Sequence, residues 1–290
     1  MQTNNAVCFF SSTEALGQTL LCIDSFHKIH GHNSIDYWLL NCSPDSLNSD
    51  TDLPAFVKPV NCFDCHLFYS SQIERFGYIG GFSRVLITEY LLRNGYSKVI
   101  CLDGDMEAFD TLNYIYDSLD HYDLIVTPHI LKPLPRDGYR LQLEDICFGG
   151  NYNSAFFACS NRKPAIEFIN WWLIESLVHG ELNFSLCRFA EQGWLRFAGD
   201  FVDKIWINRE PGLNFAYWRY DGKNFTFDGN RWLVDGQPLK LFHYSGLMPD
   251  NLSAISKWQN RYQADPVLLR FLQEYQLRLN ISNKMITNSR

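Results

Sequence analysis

The stretch Val99-Ile100-Cys101-Leu102-Asp103-Gly104-Asp105 constrains this chain most. Its apolar run reads as a buried strand. Upstream, Phe82, Val85, Leu86, Tyr90 and Leu91 recur at helical spacing, and Gly95 closes that helix. A helix feeding a buried strand implies a largely parallel sheet with helices on its faces. In an open α/β sheet, ligands bind at the carboxyl edge of the strands, which is where Asp103 and Asp105 emerge. Side chains two apart on extended backbone share a face, and a glycine between them lets the chain bend. Two carboxylates so placed can grip one hard divalent cation, Mn2+ or Mg2+. A cation held there can bridge a diphosphate and neutralise the charge of a departing diphosphate without proton transfer.

The rest of the chain repeats the alternation. Residues 6–10 and 35–40 read as strands, separated by a helix around Thr13 to His27 with Leu16, Leu20, Leu21 and Ile23 on one face. Further strands are expected at Asp123 to Pro128 and Ser154 to Cys159, and a helix from Pro164 to about His179, opened by its proline. Beyond Gly199 the pattern shortens. Residues 203–208 alternate, and the turns Asp228-Gly229-Asn230 and Asp235-Gly236 separate three short strands that end at Leu239 to Tyr244, a small hairpin region. From Pro266 onward, Val267, Leu268, Phe271, Leu272, Tyr275 and Leu279 fall on one helical face that could dock on the body or pair two copies of the chain. The expected organisation is one α/β domain over 1–265 and a helical extension over 266–290.

Composition narrows the function classes. With 46% hydrophobic and 20% charged residues in 290, the chain belongs with globular proteins. Its formal charge of -7 argues against a nucleic-acid partner, because phosphate-backbone binding needs clustered Lys and Arg. No segment approaches the roughly 20 uninterrupted apolar residues of a membrane span, and the start lacks a basic flank, so a cytoplasmic protein, at most peripheral to the inner face of a membrane, is expected. The nine cysteines mostly sit in apolar runs as core residues, and the pair Cys62 and Cys65 lacks the further ligands that zinc requires. The aromatic runs at Trp171-Trp172 and Phe215 to Trp218 read as core or as platforms for sugars.

With Ser83-Arg84 on the preceding helix, the Asp-Gly-Asp strand resembles the Asp-x-Asp strand and Arg-bearing helix of GT-A glycosyltransferases. The closer resemblance is to family 8, which includes glycogenin and bacterial lipopolysaccharide sugar transferases. Tyr152-Asn153-Ser154-Ala155 is similar to the family's Phe-Asn-x-Gly strand, and His243-Tyr244-Ser245-Gly246 to its late His-x-x-Gly segment. The resemblance implies a GT-A α/β fold and transfer of a sugar from a UDP-sugar to a glycan, a lipid-linked saccharide or a protein. It implies Asp103, Asp105 and His243 as ligands of Mn2+ or Mg2+. Arg84 would lie near the phosphates, Asn153 would face the donor sugar, and Phe9-Phe10-Ser11-Ser12 at the exit of the first strand would cradle base and ribose, with Gly246 in the late loop.

Two departures stand out. Pro249 occupies the place of the family's late lysine, which makes Lys257 the candidate replacement cation. Glu191-Gln192 stands for the acid-Gln pair lining the donor sugar, its acid longer by one methylene, and supplies the candidate catalytic residues. The resemblance implies retention of configuration, which needs no strong base, whereas inversion would need a carboxylate such as Glu191 or Asp145. Two alternatives share the motifs. A haloacid-dehalogenase-like phosphatase would use Asp103 as nucleophile and Asp105 as acid, and a carbohydrate-binding protein would need neither nucleotide nor metal.

Overall fold

The computed structural model describes residues 4–12, 14–32, 34–42, 53–65, 81–180, 182–186 and 188–288. Its strands are β1 (Asn5–Ser11), β2 (Asp36–Asn41), β3 (Val57–Asn61), β4 (Lys98–Leu102), β5 (Met106–Ala108), β6 (Leu124–Pro128), β7 (Tyr152–Ser160) and β8 (Ile205–Ile207), then β9 (Phe225–Phe227), β10 (Trp232–Val234), β11 (Gln237–Pro238) and β12 (Leu241–His243). The main helices are α1 (Leu16–His30), α2 (Ser83–Arg93), α3 (Leu143–Gly149), α4 (Lys163–His179) and α5 (Pro266–Asn288). The α1 helix starts later than its apolar spacing suggested, and Thr13 lies outside the described residues.

A seven-stranded sheet in the order β8-β6-β7-β4-β1-β2-β3 organises the described residues. The β1, β2, β3 and β4 strands pair in parallel, as does β8 with β6. The exception is β7, which runs antiparallel to both β4 and β6 and so joins two parallel blocks. Buried on both faces, β7 carries the same continuous apolar run that a parallel strand would, so its direction has no local signature.

Apolar layers cover both faces. One holds α2 and α4 against the sheet through Val85, Leu86, Leu91, Phe168 and Trp172, and the other holds α1 through Cys22, Ile23 and Phe26. A third cluster unites the hairpin strands with α5, burying Leu268, Phe271, Leu272 and Tyr275 beside Phe215, Phe225 and Phe242. Each such side chain contributes about 1.5–3 kcal/mol relative to an exposed one. Most of the apolar face of α5 therefore belongs to the core, although Val267 is exposed. The aromatic runs are also largely core, with Trp172 and Phe215 at 0% exposure. Three of the late short strands form the sheet β9-β10-β11, but β12 leaves them and pairs antiparallel with β5. That pairing brings the late histidine to the Asp-Gly-Asp turn. No described helix is long and apolar enough to cross a membrane.

Candidate functional site

The site begins where β4 ends. Asp103 donates its backbone N–H to the Ala155 carbonyl of β7, and the turn that follows delivers Asp105 into β5. Gly104 has a steric reason different from chain bending. A Cβ there would stand 2.2 Å from Thr19 Oγ1 and 3.2 Å from its Cα, so α1 passes too close for any side chain. Register then pairs Met106 with His243, and the Tyr244 N–H donates to the Asp105 carbonyl at 2.8 Å. Asp103, Asp105 and His243 each present one ligating atom, all within 4.8 Å of one another.

The valences of this trio fit a divalent cation. His243 Nδ1 lies 3.2 Å from Asn214 Oδ1, an acceptor, so Nδ1 carries a proton and Nε2 is the nitrogen turned toward the carboxylates. Nε2 lies 3.1 Å from Asp105 Oδ1, an approach that needs a proton or a cation between the atoms, and a cation there would find its lone pair. Asp103 Oδ2 accepts from Arg84 at 3.0 Å, while Oδ1 is buried with no partner. Burial pushes the Asp103 carboxyl up to about 6, helped by Asp105 and Glu191 and opposed by Arg84. Burial acts the same way on Asp105, but His243 outweighs it and holds that carboxyl below its ordinary value. Asp103 and Glu191 thus share one guanidinium while Asp105 faces His243, and the orphaned Asp103 oxygen beside these groups suits Mn2+ or Mg2+.

Behind the trio lies a buried hydrogen-bonded network, in which Arg84 Nε is left without an acceptor. Arg84 is buried, bridging Asp103 and Glu191 Oε1 at 2.9 Å and donating to the Ser154 hydroxyl. Burial alone would lower its affinity for the proton, yet the paired carboxylates raise it. Glu191 is 4% exposed, and its Oε1 also lies 3.0 Å from Ser154 Oγ. Gln192 accepts from Asn153 and from the Ser154 N–H, and donates to the Gly149 carbonyl. Asn153 spends both its amide hydrogens, on His129 Nε2 and Gln192, and its oxygen accepts from Ala155 and Asn214. These residues, expected at the donor, face one another instead. Asp145, the other candidate base, caps α3 by accepting from the Gln142 N–H and pairs with Arg140.

The first strand's exit is divided by the pleat. Phe9 is at 0% exposure and packs on Phe26, so it is a core residue and cannot hold a base as expected; the partly exposed ring is Phe10, which lies under the Arg84 guanidinium at 5.1 Å. Ser11 is buried at the edge and donates to the Ser12 carbonyl. Gly246, at φ +67°, leaves no room for a Cβ, which would stand 2.4 Å from the Trp258 ring, and its carbonyl accepts from the Lys257 N–H. The Lys257 ammonium is exposed, 4.7 Å over Trp258.

Two supports escaped the sequence reading. Asn214, fully buried at φ +55°, binds Thr127 and Asn153 as well as His243, and its only local signal was an asparagine in a polar turn after Gly212. The other is a clamp from α5. Arg278 holds both oxygens of Glu107 at 2.5 and 2.7 Å, Tyr244 donates to the same carboxylate at 2.6 Å, and Tyr244 stacks on Tyr275 at 3.4 Å. Glu107 and Tyr244 neighbour Asp105 and His243, so the C-terminal helix steadies the strand pair that carries two of the trio.

No family model matches the chain. It is 26% identical over 117 residues to the uncharacterized protein YfnF of Bacillus subtilis (strain 168), a stretch that is 40% of this chain and 39% of that protein. Among solved structures, an active-site mutant of LgtC matches with a TM-score of 0.57 at 16% identity, over 92% of this chain and 94% of that one. The bifunctional glycosyltransferase WbbM matches at 0.56 and 14%, over 87% of this chain and 47% of that one. The glycosyltransferase GlyE of Streptococcus pneumoniae TIGR4 matches at 0.54 and 18%, over 99% of this chain and 64% of that one. The chain thus has the fold of these glycosyltransferases, the mostly parallel α/β architecture expected from its Asp-Gly-Asp strand.

Proposed function

We propose that this chain is a metal-dependent glycosyltransferase, similar to family 8, that moves a sugar from a nucleotide-diphosphate donor, a UDP-sugar by resemblance, to a glycan, lipid-linked or protein acceptor. The observation that carries the reading is the trio Asp103, Asp105 and His243, which keeps an orphaned carboxylate oxygen and an imidazole lone pair together at the sheet's carboxyl edge. LgtC, crystallised as a galactosyltransferase with donor and acceptor sugar analogs, supports sugar transfer as the use of this fold.

Bound there, Mn2+ or Mg2+ would supply charge neutralisation for the leaving diphosphate. The chain's own residues supply the rest. Arg84 lies between Asp103 and Glu191 and pairs with both, which fixes the Asp103 carboxylate behind the proposed metal site. Asn214 fixes the His243 tautomer that leaves Nε2 free. Glu191, held by Arg84 and Ser154, is the candidate to offset positive charge at the donor sugar, and a transfer with retention would ask it for no proton abstraction. Lys257 is the candidate cation for the diphosphate.

Thermal-shift titrations with UDP, GDP and CMP, each with Mn2+ or with EDTA, test the reading. Stabilisation by UDP that requires Mn2+ is expected. Equal stabilisation with EDTA would remove the metal from the reading, and no response to any nucleotide would return the chain to the class of carbohydrate-binding proteins.

A further inference from the structure

The turn that carries Asp103 and Asp105 is tied down along its whole length. Its ends belong to strands: the Asp103 N–H donates to the Ala155 carbonyl at 2.9 Å, and the Asp105 carbonyl accepts from the Tyr244 N–H at 2.8 Å. Its middle faces α1. Thr19, at 0% exposure, stands so close to Gly104 that a Cβ on the glycine would lie 2.2 Å from Thr19 Oγ1, 3.0 Å from its Cβ and 3.2 Å from its Cα. Three residues further along the same helical face, the Cys22 thiol donates to the Asp103 carbonyl at 3.5 Å. One helix therefore holds both the Asp103 carbonyl and the Cα that follows it.

That helix has little freedom to retreat. Thr19 donates its hydroxyl proton to the Ala15 carbonyl at 3.1 Å, which fixes the side chain against the turn. Gly17 lies roughly 200° around the helix from Thr19, and there α5 presses from the other side. Ser282 Oγ donates to the Gly17 carbonyl at 3.0 Å, and a Cβ on Gly17 would stand 2.0 Å from Asn283 Oδ1. The first turns of α1 are thus wedged between the C-terminal helix and the Asp-Gly-Asp turn.

The consequence is electrostatic and geometric. Without a cation, Asp103 and Asp105 repel each other, and a loose turn would swing them apart and have to be drawn back on binding. A turn held from both ends and the middle avoids that reorganisation. It also resists widening to suit the ion. Oxygen ligands stand about 2.0–2.1 Å from Mg2+ but about 2.3–2.6 Å from Ca2+, so a fixed spacing of carboxylates separates ions that an adaptable one would accept alike.

We propose that Thr19 is a positioning residue of the metal site: through Gly104 it holds the Asp103 and Asp105 carboxylates at one spacing, which strengthens cation binding and discriminates between cations by size. The proposal rests on the metal-dependent reading above and deepens it.

The test is calorimetric titration of the full chain with Mn2+ and with Ca2+, with denaturant midpoints in EDTA to check that each variant is folded. Wild type should bind the two ions with different affinities. Thr19→Ala removes the hydroxyl that meets Gly104 and should weaken binding of the preferred ion about tenfold or more, as changes to the partners that orient metal ligands do. The ratio of the two affinities should move toward one. Thr19→Ser keeps the hydroxyl and should keep both the affinity and the ratio, while Gly104→Ala should lose at least as much as Thr19→Ala. Should Gly104→Ala fail to fold, the two Thr19 variants decide the matter. An unchanged affinity and ratio in Thr19→Ala would overturn the positioning role, as would an equal loss for both ions or an equal loss in Thr19→Ser. A wild type that binds neither ion is a different failure: it would end the metal-dependent reading, and this proposal with it.

Discussion

Two groups of polar side chains meet at the exit of β4, and they differ in what they have left to give. Arg84, Glu191, Ser154, Gln192 and Asn153 are buried and spent mainly on one another, with Arg84 Nε left without an acceptor. Asp103, Asp105 and His243 are equally well placed but keep an unpartnered oxygen and an imidazole lone pair. A residue that binds must hold free valence toward the ligand, whereas one that positions has spent it on its neighbours. The resemblance assigns the trio to a metal ion and Arg84, Asn153, Glu191 and Gln192 to the donor, and the geometry sets the trio apart by its unspent valence.

The contrast can be broken most directly at Asp105. Asp105→Ala removes one charged ligand from the proposed metal site and should slow donor hydrolysis and transfer roughly a thousandfold or more, with little change in melting temperature. Near-normal turnover at saturating Mn2+ would dissolve the ligating group.

Arg84→Met attacks the support. It leaves Asp103 and Glu191 facing each other without their shared cation, which should destabilise the fold by about 3–5 kcal/mol, read as a lowered denaturant midpoint. Glu191→Gln sharpens the point. A thousandfold loss of turnover at unchanged stability would show that Glu191 acts on the substrate despite its pairing.

The next effect is pH-dependent. Burial holds His129 down to about 4, with its Nδ1 donating to the Gly150 carbonyl and Nε2 accepting from Asn153. The unfolded chain takes up this proton near its ordinary value of ~6.5, so between there and ~4 the unfolded state binds more protons and stability falls as pH drops. The loss should reach about 3 kcal/mol and level off below ~4. In His129→Asn, urea midpoints measured across that window should lose this part of the slope; an unchanged slope would mean that His129 is charged in the fold.

Tyr244→Phe tests whether α5 supports the ligating group. Losing the hydroxyl donated to Glu107 should cost about 1.5–3 kcal/mol and weaken Mn2+ binding by calorimetry roughly tenfold, since outer partners set ligand position. Full Mn2+ affinity would confine α5 to packing. The smallest effect is expected at Lys257, whose exposed ammonium rests over Trp258. Lys257→Ala should weaken UDP binding only severalfold, as exposed charges contribute about 0–1 kcal/mol.

Where the chain's periodicity is local, the expected and observed elements agree closely: the Lys98–Leu102 strand, the helix ending at Arg93 before Gly95, and the proline-opened helix to His179. The trio was legible because a strand end and a late His-x-x-Gly segment each carry recognisable chemistry over a few residues. Phe9 was misassigned because adjacent residues of one strand point to opposite faces, and which face is core depends on α1. Asn214 went unnoticed because an asparagine at positive φ looks like any turn residue until the histidine it orients is beside it.

By itself, then, the sequence determined the alternation of helix and strand, the two carboxylates at a strand's carboxyl end, and the apolar face of the final helix. All of these depend on residues within a turn or two of one another. The tertiary structure alone decided the antiparallel course of β7, the burial of Arg84 between two acids, the tautomer of His243, and the conversion of a tail into the brace on Glu107. Each of these depends on partners far apart in the chain, 171 residues in the case of Arg278 and Glu107, and no local pattern can encode the free energy of a contact whose other half is elsewhere.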